Sequence, residues 1–134
     1  MNIMFFLTHK GNLTVLYEDM TFEQGMEVLT KTTYTALPLL TRQGRYLGAL
    51  TEGDFLRAIA KQGSIVQLAG QALGKLERGV ISRPLRVDAQ LRDVGNVVLN
   101  QNFVPVIDDR DYFIGIITRR KILDYCLSNL SEFQ

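Results

Sequence analysis

Pro38-Leu39-Leu40-Thr41-Arg42-Gln43-Gly44-Arg45-Tyr46-Leu47-Gly48-Ala49-Leu50-Thr51-Glu52-Gly53-Asp54 decides the fold, because its framework recurs 67 residues later with altered chemistry. Pro38, Gly48 and Thr51 return as Pro105, Gly115 and Thr118 at one constant offset. The apolar positions Leu37, Leu39, Leu40, Leu47, Leu50 and Leu56 return as Val104, Val106, Ile107, Ile114, Ile117 and Leu123. A match of this length marks an internal duplication, so the chain is read as two copies of one unit.

Each copy holds a short apolar run, a polar loop, a second apolar run and then a threonine before a stretch of helical period. That order predicts a β-hairpin running into a helix. The loops are Thr41 to Gly44 and the acidic Asp108 to Asp111. Gly48 and Gly115 fall inside the second strand, where a missing Cβ admits another backbone or a ligand. Thr51 and Thr118 stand where the helix needs an N-cap.

The residues after the threonine separate the copies. Thr51-Glu52-Gly53-Asp54 has the form of a capping box, with acids where the helix dipole favours them. Thr118-Arg119-Arg120-Lys121 puts three cations in the same turn, each disfavoured there by roughly 0.3–1 kcal/mol unless an anion compensates. Two readings stay open. The cations can point back into water as a solvated helix start, or free N–H groups, a hydroxyl and forked guanidinium groups can converge on a phosphate.

With 134 residues the chain fits one domain made of two halves, neither large enough to bury much core alone. Its 46% hydrophobic and 22% charged residues are ordinary globular composition, and a net charge of +1 gives no general case for nucleic acid or an acidic membrane. Basic residues are dispersed except at Arg119 to Lys121, a poor nucleic-acid footprint. The single cysteine, Cys126, cannot form an internal disulfide, and the apolar run Ile3 to Leu7 is too short for a signal peptide or a membrane span. A cytoplasmic protein without membrane association is expected.

Along the chain, Ile3 to Leu7 is expected to pack on the body or on a second copy, and His9 to lie on the surface. Asn12 to Leu16 reads as a short strand. Thr21 caps a helix whose buried face is Phe22, Gly25, Met26 and Leu29 and which ends near Lys31. Pro38 biases Leu37 towards extended structure, and Tyr34 and Thr35 are open either to a ligand or to solvent. The stretch from Gln62 to Gly79, with four glycines, reads as a linker holding a short helix around Val66 to Leu76. Val80 to Val87, interrupted at Pro84, leads the second half. Its helix buries Leu91, Val94, Val98 and Leu99, and the final helix runs from about Arg119 to Leu130. Glu52 and Asp54 are accounted for by capping, and no nucleophile–base constellation or metal cluster accompanies them, so no enzyme and no cofactor are expected.

Strand–helix–strand–strand–helix, twice, with Leu-Pro or Val-Pro before the hairpin and Gly-x-x-Thr before the last helix, resembles the tandem cystathionine-β-synthase (CBS) domain pair, or Bateman module, from about Asn12 to Leu127. The resemblance implies an α+β fold of two pseudo-twofold-related β-α-β-β-α repeats packed through their sheets. Residues 1–62 would form the first repeat with an N-terminal extension, 63–79 a linker, and 80–134 the second repeat. It also implies a regulatory module that binds adenine nucleotides, pairs into homodimers and signals to an effector protein.

Family resemblance further implies two ligand clefts. In one, Thr51 and Asp54 match the ribose-holding Thr-x-x-Asp, with Ile81, Ser82, Arg83 and Phe103 opposite. In the other, Lys121 stands where the ribose acceptor would be, and Thr118, Arg119 and Arg120 combine with Asn12, Leu13, Thr14, Tyr34, Thr35 and Ala36. That set resembles stand-alone bacterial pairs that bind cyclic di-AMP, through Lys31-Thr32-Thr33-Tyr34-Thr35-Ala36 and Thr118-Arg119-Arg120. A cyclic dinucleotide has no free vicinal diol and gains more from arginine than from aspartate. AMP, ADP or ATP remains open at the Thr51/Asp54 cleft. A ligand-independent dimerisation module, with Arg119 and Arg120 paired to Asp108, Asp109 or Asp111, is the competing class.

Overall fold

The computed structural model describes residues 2–79, 82–101 and 103–133. In chain order the elements are β1 (Thr8–His9), β2 (Leu16–Tyr17), α1 (Phe22–Lys31), β3 (Ala36–Leu40), β4 (Tyr46–Thr51), α2 (Glu52–Gln62), α3 (Ile65–Ala69), β5 (Leu85–Arg86), α4 (Leu91–Val98), β6 (Val104–Ile107), β7 (Phe113–Ile117) and α5 (Arg119–Ser128). The order β-α-β-β-α occurs twice, from β2 to α2 and from β5 to α5. The chain divides into two compact units, Thr14–Ile81 and the discontinuous pair Met1–Leu13 with Ser82–Gln134. Where the sequence assigns the N-terminal extension to the first repeat, the structure gives it to the second.

The first-repeat unit carries the sheet β2-β3-β4, with β2 parallel and β4 antiparallel to β3. Leu37 and Leu39 of β3 alternate onto one face and meet Leu16, Leu50, Phe22 and Phe55 in the core. Phe22 of α1 and Phe55 of α2 pack with ring centroids 4.9 Å apart. Thr21 caps α1 in a reciprocal box with Gln24, which fixes where the helix leaves the β2 connection. The linker after α2 adds Leu68, Leu73 and Leu76 to the same core. The expected single linker helix is instead α3 followed, after Gly70, by a separate 3-10 turn at Leu73–Lys75.

The second-repeat unit carries the sheet β1-β7-β6-β5 over a core of Ile3, Phe6, Val94, Val98, Val104, Val106 and Ile117. Its hairpin repeats the register of the first pair for pair. Leu37↔Leu50 and Leu39↔Gly48 become Val104↔Ile117 and Val106↔Gly115, and each ladder shifts register after the glycine. The preceding elements run at a different offset, since α1 begins at Phe22 and α4 at Leu91. The duplication therefore loses two residues between α4 and β6, and α4 is two residues shorter than α1.

Three expectations change. No strand covers Asn12 to Leu16: Lys10–Asn12 is a 3-10 turn, held where the exposed His9 accepts from the Gly11 N–H at 3.1 Å, and β2 begins only at Leu16. The strand expected from Val80 is described only at Leu85–Arg86, after Pro84; Val80 and Ile81 lie outside the described residues. Leu99 is 73% exposed rather than core, because it ends α4. Among the described residues no helix is long and apolar enough to cross a membrane.

The N-terminal segment explains Gly115. Strand β1 pairs antiparallel with β7, Thr8 opposite Ile116 and His9 opposite Gly115. A Cβ on Gly115 would collide with the Thr8 carbonyl oxygen and crowd Leu7. The close approach inferred from the strand glycine is thus made by the chain's own backbone. Ile3 and Phe6 are fully buried behind it, and the Phe6 ring meets Tyr125 of α5 edge-on at 4.9 Å.

Candidate functional site

Each expected ligand set draws on both units. Of the aspartate set, Thr51 and Asp54 belong to the first-repeat unit and Ser82, Arg83 and Phe103 to the second; Ile81 lies outside the described residues. Of the arginine set, Asn12, Leu13, Thr118, Arg119 and Arg120 lie in the second-repeat unit, and Thr14, Tyr34, Thr35 and Ala36 in the first.

In the first-repeat unit the helix start is an acidic, closed arrangement. Thr51 Oγ1 accepts from the Asp54 N–H at 3.1 Å while Asp54 Oδ2 accepts from the Thr51 N–H at 2.8 Å, completing the box. Asp54 Oδ1 accepts from the Gly79 N–H at 2.8 Å and from Arg57 Nη2 at 2.5 Å. The carboxylate is 2% exposed. Burial pushes its pKa up, but the N–H groups of Gly79 and Thr51 and the Arg57 guanidinium outweigh this and hold it below the ordinary range. A carboxylate has about four acceptor positions, and three are spent within the chain. A ribose diol at Asp54 would have to displace Gly79 or Arg57. Ala36 stands opposite Thr51, and the Glu52 N–H donates to the Thr35 carbonyl at 3.0 Å, so Thr35 and Ala36 adjoin Thr51 while Tyr34 is 45% exposed.

The helix start of the second-repeat unit has the opposite chemistry. Thr118 accepts from the Lys121 N–H at 3.1 Å, but among the described residues no side chain returns to the Thr118 N–H, since Lys121 replaces the aspartate of the box. Arg119 is not free to meet a ligand: its Nε donates to Val98 O at 2.7 Å and its Nη2 to Leu99 O at 3.0 Å and Gln101 O at 3.3 Å. Its charge is carried from the α5 N-terminus, where the dipole disfavours it, to the α4 C-terminus, where the dipole favours it. Arg120 and Lys121 are exposed, and among the described residues neither has an acidic partner. Asn12 is exposed on the 3-10 turn that follows β1.

Sequence reasoning missed Gln101, Arg57 and Gly79. Gln101 is buried; its Oε1 accepts from the Arg83 N–H at 2.7 Å, and its Nε2 donates to the carbonyls of Arg83 at 3.2 Å and Phe103 at 3.1 Å. It fixes two expected ligand-contacting segments against each other. Arg57 sits three residues after Asp54 on α2, a spacing readable as a side-chain pair. Gly79 has no local signature: a Cβ there would strike Arg57 Nη2.

Two β-α-β-β-α repeats, each feeding a hairpin into a threonine-capped helix whose first turn is chemically specialised, define a tandem α+β module. The CBS domain family matches residues 7–61 and 83–128, and the chain belongs to that family, as a CBS domain pair. A homoserine O-acetyltransferase of Methanohalophilus mahii is 28% identical over 80% of this chain, which spans only 21% of that enzyme's length. Among solved structures, CbpB in complex with cyclic di-AMP has a TM-score of 0.88 at 21% identity over 99% of this chain and 89% of that one. Arabidopsis thaliana CBSX2 in complex with AMP has a TM-score of 0.76 at 23% identity over 95% of this chain and 96% of that one. These two likenesses are of fold.

Proposed function

We propose that this CBS pair is a non-catalytic regulatory module that binds an adenine nucleotide, with cyclic di-AMP the preferred ligand, and signals its presence to a partner protein. One observation carries the preference. The acidic helix start has spent its carboxylate on Thr51, Gly79 and Arg57, whereas the α5 start has no acid in its first turn and offers Arg120 and Lys121 to an anion. A ligand rich in phosphate and poor in free diol suits that division. Support of a different kind comes from a similarly folded protein that holds cyclic di-AMP. Ligand binding acts by population shift, favouring one conformer of the pair for its effector, and the working state is a cytoplasmic homodimer.

Arg119 is committed to α4, so its removal would confound stability with binding; Arg120 is the arginine to remove. Calorimetric titration with cyclic di-AMP, AMP and ATP is made on the wild type, Arg120→Ala and Asp54→Asn. Cyclic di-AMP binding weakened about tenfold or more in Arg120→Ala, from the loss of charge-assisted hydrogen bonds, and retained in Asp54→Asn is the expected result. AMP binding abolished by Asp54→Asn, without cyclic di-AMP binding, would make the module an energy-state sensor. No heat with any of the three would leave a ligand-independent dimerisation module.

A further inference from the structure

The first-repeat unit contains a groove that borders the acidic helix start at Asp54 and continues along α2 past the residues of the nucleotide reading. After α2 the linker passes through α3, the 3-10 turn at Leu73–Lys75 and an irregular run to Gly79. Between helix and linker lies a cavity of about 650 Å³, within the range of roughly 300–1,000 Å³ usual for small-molecule sites. Ala58, Leu68 and Leu76 give it an apolar floor. Its rim is cationic, with Arg57 and Lys61 one turn apart on α2 and Lys75 and Arg78 on the linker. Two acids answer these four: Asp54 takes Arg57, and Glu77 meets Lys61 at 3.3 Å. Among the described residues, Lys75 and Arg78 have no acidic partner.

We infer that this groove binds a phosphorylated organic molecule. Four cations gathered on one concave surface repel each other and focus a positive potential into it, which an anion relieves. Arg57 is anchored before any ligand arrives, and the Arg78 stem is seated on a strand. Arg57 is tied to Asp54 and laid between Gly53 and Gly79, and the Arg78 stem lies on β4 at Gly48, where the backbone runs at a φ of 154° and a Cβ would come within 3.2 Å of its Nε. Guanidinium forks suit the oxygens of a phosphoryl group, with the two lysines adding charge. The accessible apolar lining at Ala58 and Ala60, with Leu68 and Leu76 behind it, favours a phosphate ester over a hydrated inorganic ion, because an organic body covers it. An occupant also competes with Asp54 for Arg57, the group that helps close the acidic helix start.

Phenyl phosphate and inorganic phosphate are the probes, titrated at low ionic strength into the full chain with amide chemical-shift mapping and calorimetry. Neither carries adenine or ribose, and shifts in the groove separate this site from the α5 start, which the nucleotide reading also offers to an anion. The expected result is phenyl phosphate binding more tightly than inorganic phosphate, with shifts at Lys61, Lys75 and Arg78. The Lys75→Ala/Arg78→Ala double variant should weaken it about tenfold or more, and Arg92→Ala, on α4 outside the groove, should leave it unchanged. If alanine at both positions unfolds the unit by circular dichroism, the Lys75→Gln/Arg78→Gln double variant replaces it. Absence of shifts in the groove, affinity that survives the double variant, equal loss in Arg92→Ala, or equal affinity for the two probes overturns the inference.

Discussion

Removing the Arg119 side chain should destabilise the protein although the residue is exposed at a helix start, where loss of a cation would ordinarily help. The worth of the side chain follows from its three acceptors. The Val98 bond, at 2.7 Å and partly buried, contributes about 1.5 kcal/mol, the low end for a hydrogen bond to a charged group. The exposed Leu99 bond and the long Gln101 bond together add about 0.5 kcal/mol, since water replaces them readily. Arg119→Ala should therefore cost ~2 kcal/mol, a fall in Tm of roughly 6–10 °C for a chain of this size. Lysine cannot fork to three carbonyls, so Arg119→Lys should recover about half of that loss. Arg120→Ala should stay within about 0.5 kcal/mol of wild type. Urea denaturation followed by far-ultraviolet circular dichroism measures all three. A cost for Arg119→Ala no greater than that for Arg120→Ala would refute the assignment of Arg119 to the α4 terminus.

Gly115→Ala should cost about 1–3 kcal/mol through overpacking against Thr8 and make the segment before Leu13 sensitive to limited proteolysis. Gly95→Ala, where nothing lies near the added methyl on an α4 interior position, should instead stabilise by about 0.5–1 kcal/mol. The Asp54 carboxyl, held low in the folded state, contributes stability that is complete above the ordinary carboxylate value of about 3.9 and is lost as pH falls through the depressed one, because the unfolded chain binds the proton first. Asp54→Asn should be less stable at pH 7 and lose less on acidification than the wild type, and parallel acid titrations of the two would count against the buried clasp.

The hairpins, the capping threonines and the doubled topology were legible because each rests on local chemistry repeated at a fixed interval. The duplication also showed that Lys121 replaces Asp54, and with it the contrast between the two helix starts. What escaped was long-range. Gly115 announced a close approach, but nothing in the sequence says that the visitor is Thr8. The position of Arg119 in the first turn of α5 gave no hint that its head reaches the end of α4, and the usual inference from a cation there was a phosphate. Gln101 and Gly79 act on groups 18 and 25 residues away, beyond any periodicity. Leu99 was misassigned because the helical pattern extends past the point where α4 stops at Val98.

The discontinuous unit also sets an order of events during synthesis. Thr8 pairs with Ile116, about a hundred residues behind it on the ribosome, a delay of roughly 5–20 s at ordinary elongation rates. Throughout that interval Ile3 and Phe6, both fully buried at the end, have no core to enter. The Thr14–Ile81 unit has all of its own strands and helices in hand much earlier and can collapse while the rest is still being made. The nascent arm then waits as an apolar tether ahead of a folded body, and the last strand to emerge must capture the first. In a crowded polysome, a β7 that finds the arm of a neighbouring chain before its own would produce an exchanged pair from an unaltered sequence.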